Sequence, residues 1–462
     1  MAGKSVVLLC VLACGGCIGS DSREQVPLSE QASFKAANDD AVVTLGVARG
    51  RPAAGSSAPA ARLRKPSPAS SAVAQVGGFQ FERVIVDAIV YDWVPEHVVV
   101  GDVTGDARPD VVMSMSAAGS NGRVLIRIYT QLSDGSLAAP LEFKVERALN
   151  WLHSLELADL DADGVQDIAL ADDTGLTTIS RVNGSFITRW HASSGRYSAL
   201  VAIDANSDGN MDVFAQGVEY GSRFFLGDGR GGFSAVQYVD TGYGAYAVAE
   251  ASDFTADGRP DLVVSRNGAY YVKIYPLLPG LGLQSQPFTY DVRPLQSSSD
   301  GATVGDLDRD GRPDLVITDP GNADTTRPRG VRILYRGAGD QFMHSVLLET
   351  PGAYTYPSSV AVADLDRNGF PDIVVMYDSS DRLGYFLQGP TGFAPVATVL
   401  TDDNPWTNNH YGENSFAIAD VNSDQCPDIV LSEVSSSLRI FYGRNCNLPV
   451  RKTGGPLPPE QR

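Results

Sequence analysis

The sequence predicts an all-β fold: a seven-bladed β-propeller of four-stranded blades, closed by an N-terminal strand that completes the last blade. Three observations carry this. A nine-residue acidic loop recurs seven times, with successive copies starting 45 to 58 residues apart. Apolar runs rich in Val, Ile and Leu flank the copies. The seventh repeat stops one strand short, while an unassigned strand-like run lies before the first. A period near fifty with strand signals reads as one propeller blade per repeat.

The loops justify themselves residue by residue. Oxygen-bearing side chains stand at positions 1, 3, 5 and 9 in every copy. In order they are Asp102, Thr104, Asp106 and Asp110; Asp159, Asp161, Asp163 and Asp167; and Asp204, Asn206, Asp208 and Asp212. Then come Asp253, Thr255, Asp257 and Asp261; Asp306, Asp308, Asp310 and Asp314; Asp364, Asp366, Asn368 and Asp372; and Asp420, Asn422, Asp424 and Asp428. On a tight turn, side chains 1, 3 and 5 can converge, position 7 can add a backbone carbonyl, and position 9 closes the cage. Hard oxygen ligands of this kind suit Ca²⁺, at up to seven sites. Gly164, Gly209, Gly258, Gly311 and Gly369 at position 6 supply a left-handed turn. An EF-hand would carry a bidentate Glu at position 12. Here position 12 is Met113, Leu170, Ala215, Val264, Ile317, Val375 and Leu431, none of them a ligand. Loops 2 and 5, with four Asp each, have the fullest ligand sets; loops 1 and 7 are the most degenerate. The alternative for any one loop is an Asx turn held by hydrogen bonds alone.

Each unit parses into strands A to D, with the acidic loop between A and B. In the first unit these are His97–Gly101, Asp110–Met115, Arg123–Gln131 and about Leu141–Glu146. In the seventh, Ser437–Tyr442 reads as strand C and nothing follows as strand D. The run Phe79–Tyr91 can supply it, so that no sheet edge is left over. The propeller is therefore placed at residues 79–448, with a disordered Pro/Gly-rich tail expected at 449–462.

The Asp-x-(Asp/Asn/Thr)-x-(Asp/Asn)-Gly-x-x-Asp loops, and endings such as Gly229-Arg-Gly-Gly-Phe233, resemble the FG-GAP/VCBS repeat family. That family is known from integrin α-subunit propellers and many bacterial surface proteins. The resemblance covers about four fifths of the chain. It implies the propeller and points to recognition or adhesion at a surface, without naming a ligand.

Residues 1–17 have the layout of a secretory signal: Lys4, an apolar run Ser5–Ala13, then Cys14-Gly-Gly-Cys17. The small residues before Cys17 resemble a lipoprotein box; Cys14 is the other candidate, and cleavage without lipid is the alternative. Residues 18–78, rich in Ala, Ser and Pro, read as a disordered tether. The expected location is exported: outer membrane, periplasm or cell surface, held to the membrane by an N-terminal lipid. A net charge of −19 argues against nucleic acid as a partner, and seven divalent ions would offset most of it. Of five cysteines, three lie in the signal region. Cys426 and Cys446 are expected to end on the same face of blade 7 and to form a disulfide; two buried thiols are the alternative.

A partner, protein or glycan, is expected on the face opposite the acidic loops. Aromatic residues and histidines recur just before strand A: Trp93, Trp151, His153, Tyr197, Tyr246, Tyr356, Trp406, His410 and Tyr411. Such a ring can form a stacking platform, or the same residues can pack between blades. No Gly-x-Ser-x-Gly elbow, His-Glu-x-x-His or phosphate-cradling loop occurs, so no catalytic residues are assigned. The alternatives are a calcium-dependent polysaccharide lyase, with His153 or His410 and Arg196 pressed into service, and a passive scaffold in an envelope complex.

Overall fold

A computed structural model describes residues 42–44, 79–87, 93–117, 124–145, 152–172, 175–192, 196–218, 221–241, 247–266, 271–278, 282–283, 287–291, 301–319, 321, 328–337, 342–350, 357–377, 382–400, 415–433 and 437–446. Among the described residues all regular structure is β. Among the described residues the strands form seven antiparallel blade sheets, six of four strands and one of five, with two short two-stranded ribbons beside them. Strands A to D of blade 1 are Trp93–Gly101, Asp110–Ala117, Val124–Tyr129 and Leu141–Val145. Those of blade 2 are Leu152–Ala158, Asp167–Asp172, Gly175–Val182 and Ser185–Ala192. Blade 3 has Tyr197–Ile203, Asp212–Gly217, Ser222–Gly227 and Phe233–Val239; blade 4 has Ala247–Ser252, Asp261–Arg266, Tyr271–Tyr275 and Phe288–Asp291. Blade 5 has Ala302–Gly305, Asp314–Asp319, Gly330–Arg336 and Phe342–Glu349; blade 6 has Pro357–Ala363, Asp372–Tyr377, Arg382–Phe386 and Ala397–Leu400.

Blade 7 takes Phe416–Ala419, Asp428–Glu433 and Ser437–Arg444 as strands A to C, and Gln80–Asp87 as strand D. The last strand comes from the other end of the chain, as the truncated seventh repeat predicts. It pairs antiparallel with strand C from Gln80 opposite Arg444 to Asp87 opposite Leu438.

Strands B and C are buried on both faces, so they read as continuous apolar runs rather than alternating ones. Alternation is still present, directed at two different neighbours. Val112 faces the layer shared with blade 2, while Val111 and Met113 face the layer shared with blade 7. Seven such apolar layers exist, one between each pair of adjacent blades around the ring. Strand D lies at the rim, which is where the exposed apolar side chains Leu141, Val236, Tyr238, Met343 and Val346 occur.

The closing layer, between blades 6 and 7, is aromatic. Phe79 and Phe81 meet edge-on at 5.0 Å, and Phe81 meets Tyr385 of blade 6 at 5.4 Å. Cys426 and Cys446 belong to the same layer and are joined by a disulfide, with Cα atoms 5.8 Å apart. It fixes the end of strand C to the loop that enters strand B.

One part of the expected tether departs from disorder. Val42–Thr44 pairs antiparallel with strand D of blade 2, Val42 opposite Arg189, as a fifth strand. Two valines and a threonine suit a strand, and a rim strand offers unpaired backbone groups. The rest of residues 1–78, including Cys14 and Cys17, and the tail at 449–462 lie outside the described residues.

If the aromatic clasp closes the ring, Phe81→Ala should destabilise the protein by about 3–5 kcal/mol in urea unfolding. Met343→Ala at the rim should cost under about 0.5 kcal/mol. Cys426→Ser/Cys446→Ser should cost about 2–4 kcal/mol by the same measurement, since it frees a loop of some twenty residues.

Candidate metal-binding loops

Every acidic loop has the same backbone. Positions 4 and 6 are both left-handed: Ala162 and Gly164 in loop 2 (φ 57° and 87°), Arg309 and Gly311 in loop 5 (φ 62° and 84°). The position-6 glycines mark one of these turns in the sequence. The position-4 turn is invisible there, because Ala162, Ser207, Ala256, Arg309, Arg367 and Ser423 occupy it. Loop 1 reverses the arrangement, with Gly105 at position 4 and Ala107 at position 6.

Carboxylates hold these turns. The position-1 Asp accepts the N–H groups of positions 5 and 6, as at Asp159 from Asp163 (3.1 Å) and Gly164 (3.0 Å). Loop 1 closes further onto itself: Asp102 accepts from Thr104, Gly105, Asp106 and Ala107. The position-5 side chain accepts the N–H of position 7, at 2.8 Å for Asp163 and Val165.

Position 9 ties the loop to the blade. Asp314 is fully buried; one oxygen accepts the Leu307 N–H (2.9 Å) and the other the Arg336 N–H at the end of strand C (2.8 Å). Asp110, Asp212, Asp372 and Asp428 repeat both bonds. Burial raises the proton affinity of all seven position-9 carboxyls, and in each the other loop aspartates add to it. Asp167, Asp372 and Asp428 are pushed up to about 7, Asp212 and Asp314 to about 6, and Asp110 and Asp261 upward. Such an arrangement stores negative charge that a cation would relieve.

Positions 1, 3 and 9 converge in three loops. Oxygens of Asp159, Asp161 and Asp167 lie within 4.8 Å of one another, as do those of Asp306, Asp308 and Asp314 and of Asp364, Asp366 and Asp372. Loop 6 thus joins loops 2 and 5. The position-5 residues Asp163 and Asp310 stay outside these clusters; one oxygen of each, like that of Asn368, accepts the N–H of position 7. The donor set fits a hard cation. It is all oxygen, and Asp161 Oδ1 is buried with no hydrogen-bond partner. In loop 4 the Thr255 hydroxyl is likewise buried; it faces Asp261 without hydrogen-bond geometry.

The expected aromatic ring divides. Trp93 and Tyr197 begin strand A rather than preceding it. Trp93 packs against the layer between blades 7 and 1, with Lys144 over its ring at 5.7 Å. Tyr197 is fully buried between blades 2 and 3, edge-on to Phe225 at 6.0 Å, so its ring faces protein and not a ligand. The inter-blade space needs a large apolar group there. His153 lies in strand A of blade 2. Trp151, Tyr246, Tyr356, Trp406, His410 and Tyr411 lie outside the described residues.

Five overlapping segments, 102–170, 159–215, 204–264, 253–317 and 306–375, match the FG-GAP-like repeat. Each match runs from one acidic loop into strand B of the next blade, so the sequence repeat is offset from the structural blade. Human (Homo sapiens) integrin alpha-IIb is 28% identical over 183 residues, which are 35% of this chain and 17% of that protein. An Agrocybe aegerita lectin, solved for its recognition of non-reducing terminal N-acetylglucosamine, superposes with a TM-score of 0.48. It is 18% identical, over 71% of this chain and 82% of its own. BBS1N, solved in complex with ARL6DN, gives a TM-score of 0.48 at 9% identity, over 78% of this chain and 95% of its own. The repeat matches cover more than half of the sequence, with acidic loops, blade order and strand pattern in register: the chain belongs to the FG-GAP repeat family.

Proposed function

We propose that this protein is an exported, calcium-stabilised β-propeller that serves as a recognition or adhesion module for a protein or glycan. The observation that carries the metal part is the convergence of three aspartates, one of them buried, in each of loops 2, 5 and 6. Residues at positions 1, 3 and 9 would hold the ion, and positions 5 and 7 would complete its shell. Bound there, Ca²⁺ would supply positive charge to carboxylates that burial has made costly to ionise. Its role is structural: each loop is the hinge between strands A and B, so an ion that stiffens it holds the blade in register.

The recognition part follows from the scaffold. A closed ring of blades is rigid, and long connections on a rigid scaffold are where binding resides. The acidic loops and the C–D turns that pack beside them crowd one face, exemplified by Gly231 donating its N–H to Leu160 of loop 2. This favours the opposite face for a partner. Export suits the low affinity of extracellular calcium modules, about 10⁻⁴–10⁻³ M.

Chelation should lower the melting temperature. At about 1 mM Ca²⁺ each occupied site should contribute about 0.4–1.4 kcal/mol. An unchanged melting curve after complete chelation would remove calcium from the account. The effect should depend on pH, with a definite sign. In the ion-free protein, Asp167, Asp372 and Asp428 protonate near 7, above the ordinary carboxylate range. Their contribution to stability is therefore full below about pH 4 and is lost as pH rises through 7. Ca²⁺ binds the ionised form, so its stabilising shift should be larger at pH 8 than at pH 5.5. Equal shifts at both values, read by calorimetry, would contradict the site.

For recognition, the protein with Ca²⁺ should retain a saturable ligand on a glycan array or in a pull-down, and lose it on chelation. Release of unsaturated uronate from pectic substrates would instead favour a lyase.

A further inference from the structure

Four of the seven loops already face a cation of their own. Arg108, Arg259 and Arg312, each at position 7, pair with the position-5 carboxylates Asp106, Asp257 and Asp310. In loop 7 the position-5 Asp424 is paired by Arg444, which reaches over from the end of strand C. Loops 2, 3 and 6 carry Val165, Asn210 and Phe370 at position 7. Among the described residues no guanidinium pairs with Asp163 or Asp208. Arg189, which lies beside loop 2, gives its guanidinium to Ser180 and to the carbonyl of Gly231 instead.

The arginines are held to different degrees. Arg108 Nε donates to the Gln131 carbonyl (2.9 Å) and Arg259 Nε to the Leu277 carbonyl (3.0 Å), both at the end of strand C. Arg444 Nε is held by Glu82 at 3.0 Å. Arg312 has no such second tie, its Nε being buried without a hydrogen-bond partner. In loop 6 the Asn368 amide takes the corresponding carbonyl, of Gln388 (2.7 Å), so a neutral group fills the place of the guanidinium.

We propose that these arginines are resident counter-cations that set the order in which the loops take up Ca²⁺. This rests on the reading of the loops as calcium sites. A guanidinium on the position-5 carboxylate repels a divalent ion a few ångströms away and competes for one of its ligands. Each pair is about one-third exposed, so it adds little to stability. Near a divalent charge it still weakens binding by about tenfold. Loop 2, with four carboxylates and no facing guanidinium, fills first. Loops 3 and 6 follow. Loop 5 also has four carboxylates, but Arg312 offsets one of them. Loops 1, 4 and 7 combine three carboxylates with a firmly held arginine and fill last. The loops with arginine are in return the ones that can stay closed without an ion.

The test is calorimetric titration of the whole protein with Ca²⁺, comparing wild type with Arg259→Gln and Arg312→Gln. Arg259→Gln should move one site from the weak class to a tighter one, by about tenfold. Arg312→Gln should shift one site by less, about threefold, because Arg312 is less firmly tied. Asp163→Asn, which gives loop 2 the ligand set of loop 6, should move the tightest site down to the class of loops 3 and 6. Ion-free melting curves close to wild type show that the variants fold; should Arg259→Gln fail to fold, Arg108→Gln makes the same test at loop 1. Arginine variants whose isotherms superimpose on wild type, or whose sites weaken, overturn the proposal while leaving calcium binding intact. Absence of any calcium heat in the wild type overturns the reading of the loops as calcium sites.

Discussion

Each blade depends on one buried carboxylate. The position-9 aspartate sits at the start of strand B, with one oxygen on the backbone of the acidic loop and, in most blades, the other on the backbone of strand C. It therefore sets where strand A turns into B and where C must end. Burying an acid is expensive, which is why its proton affinity rises in all seven blades. The residue that organises the backbone is thus the same one that asks for a cation. Stability and ion binding are two consequences of a single desolvated charge.

The apolar layers do the complementary work. A lone blade is a small sheet with two greasy faces and could not stand in water. Seven of them, each face covered by the next blade, leave only strand D at the rim. The ring must be closed to remove the last two faces. Closure by Gln80–Asp87 makes one blade out of both ends of the chain, so the ring cannot open without breaking that sheet and its Phe79–Phe81–Tyr385 contacts. The acidic loops communicate across the same seams. The Gln166 N–H of loop 2 donates to the Asp102 carbonyl of loop 1, and Arg309 of loop 5 lies over the ring of Phe370 in loop 6.

Much of this was legible in residues alone, because the repeat is a ruler. Seven acidic loops count seven blades, and the absent strand after Tyr442 points back to Phe79–Tyr91. The Cys426–Cys446 pairing followed from strands B and C running in opposite directions. What escaped was anything set by side-chain direction. Position 4 of six of the seven loops is left-handed without a glycine to announce it. Position 5 accepts the N–H of position 7 and, in loops 1, 4, 5 and 7, also pairs with an arginine. Tyr197 could be read as a platform aromatic or as inter-blade packing, and the folded ring places it in a seam.

The sequence by itself determined the class, the blade count, the closure and the oxygen chemistry of the loops. Those depend on periodicity and residue type, which a linear string records. The tertiary structure decided which oxygens meet, which aspartates are buried enough to resist ionisation, and which loops face a guanidinium. Those depend on distances between residues that strand pairing and blade packing bring together, as with Arg444 and Asp424, or Phe81 and Tyr385. Charge and contact act through space, and only the folded ring sets that space.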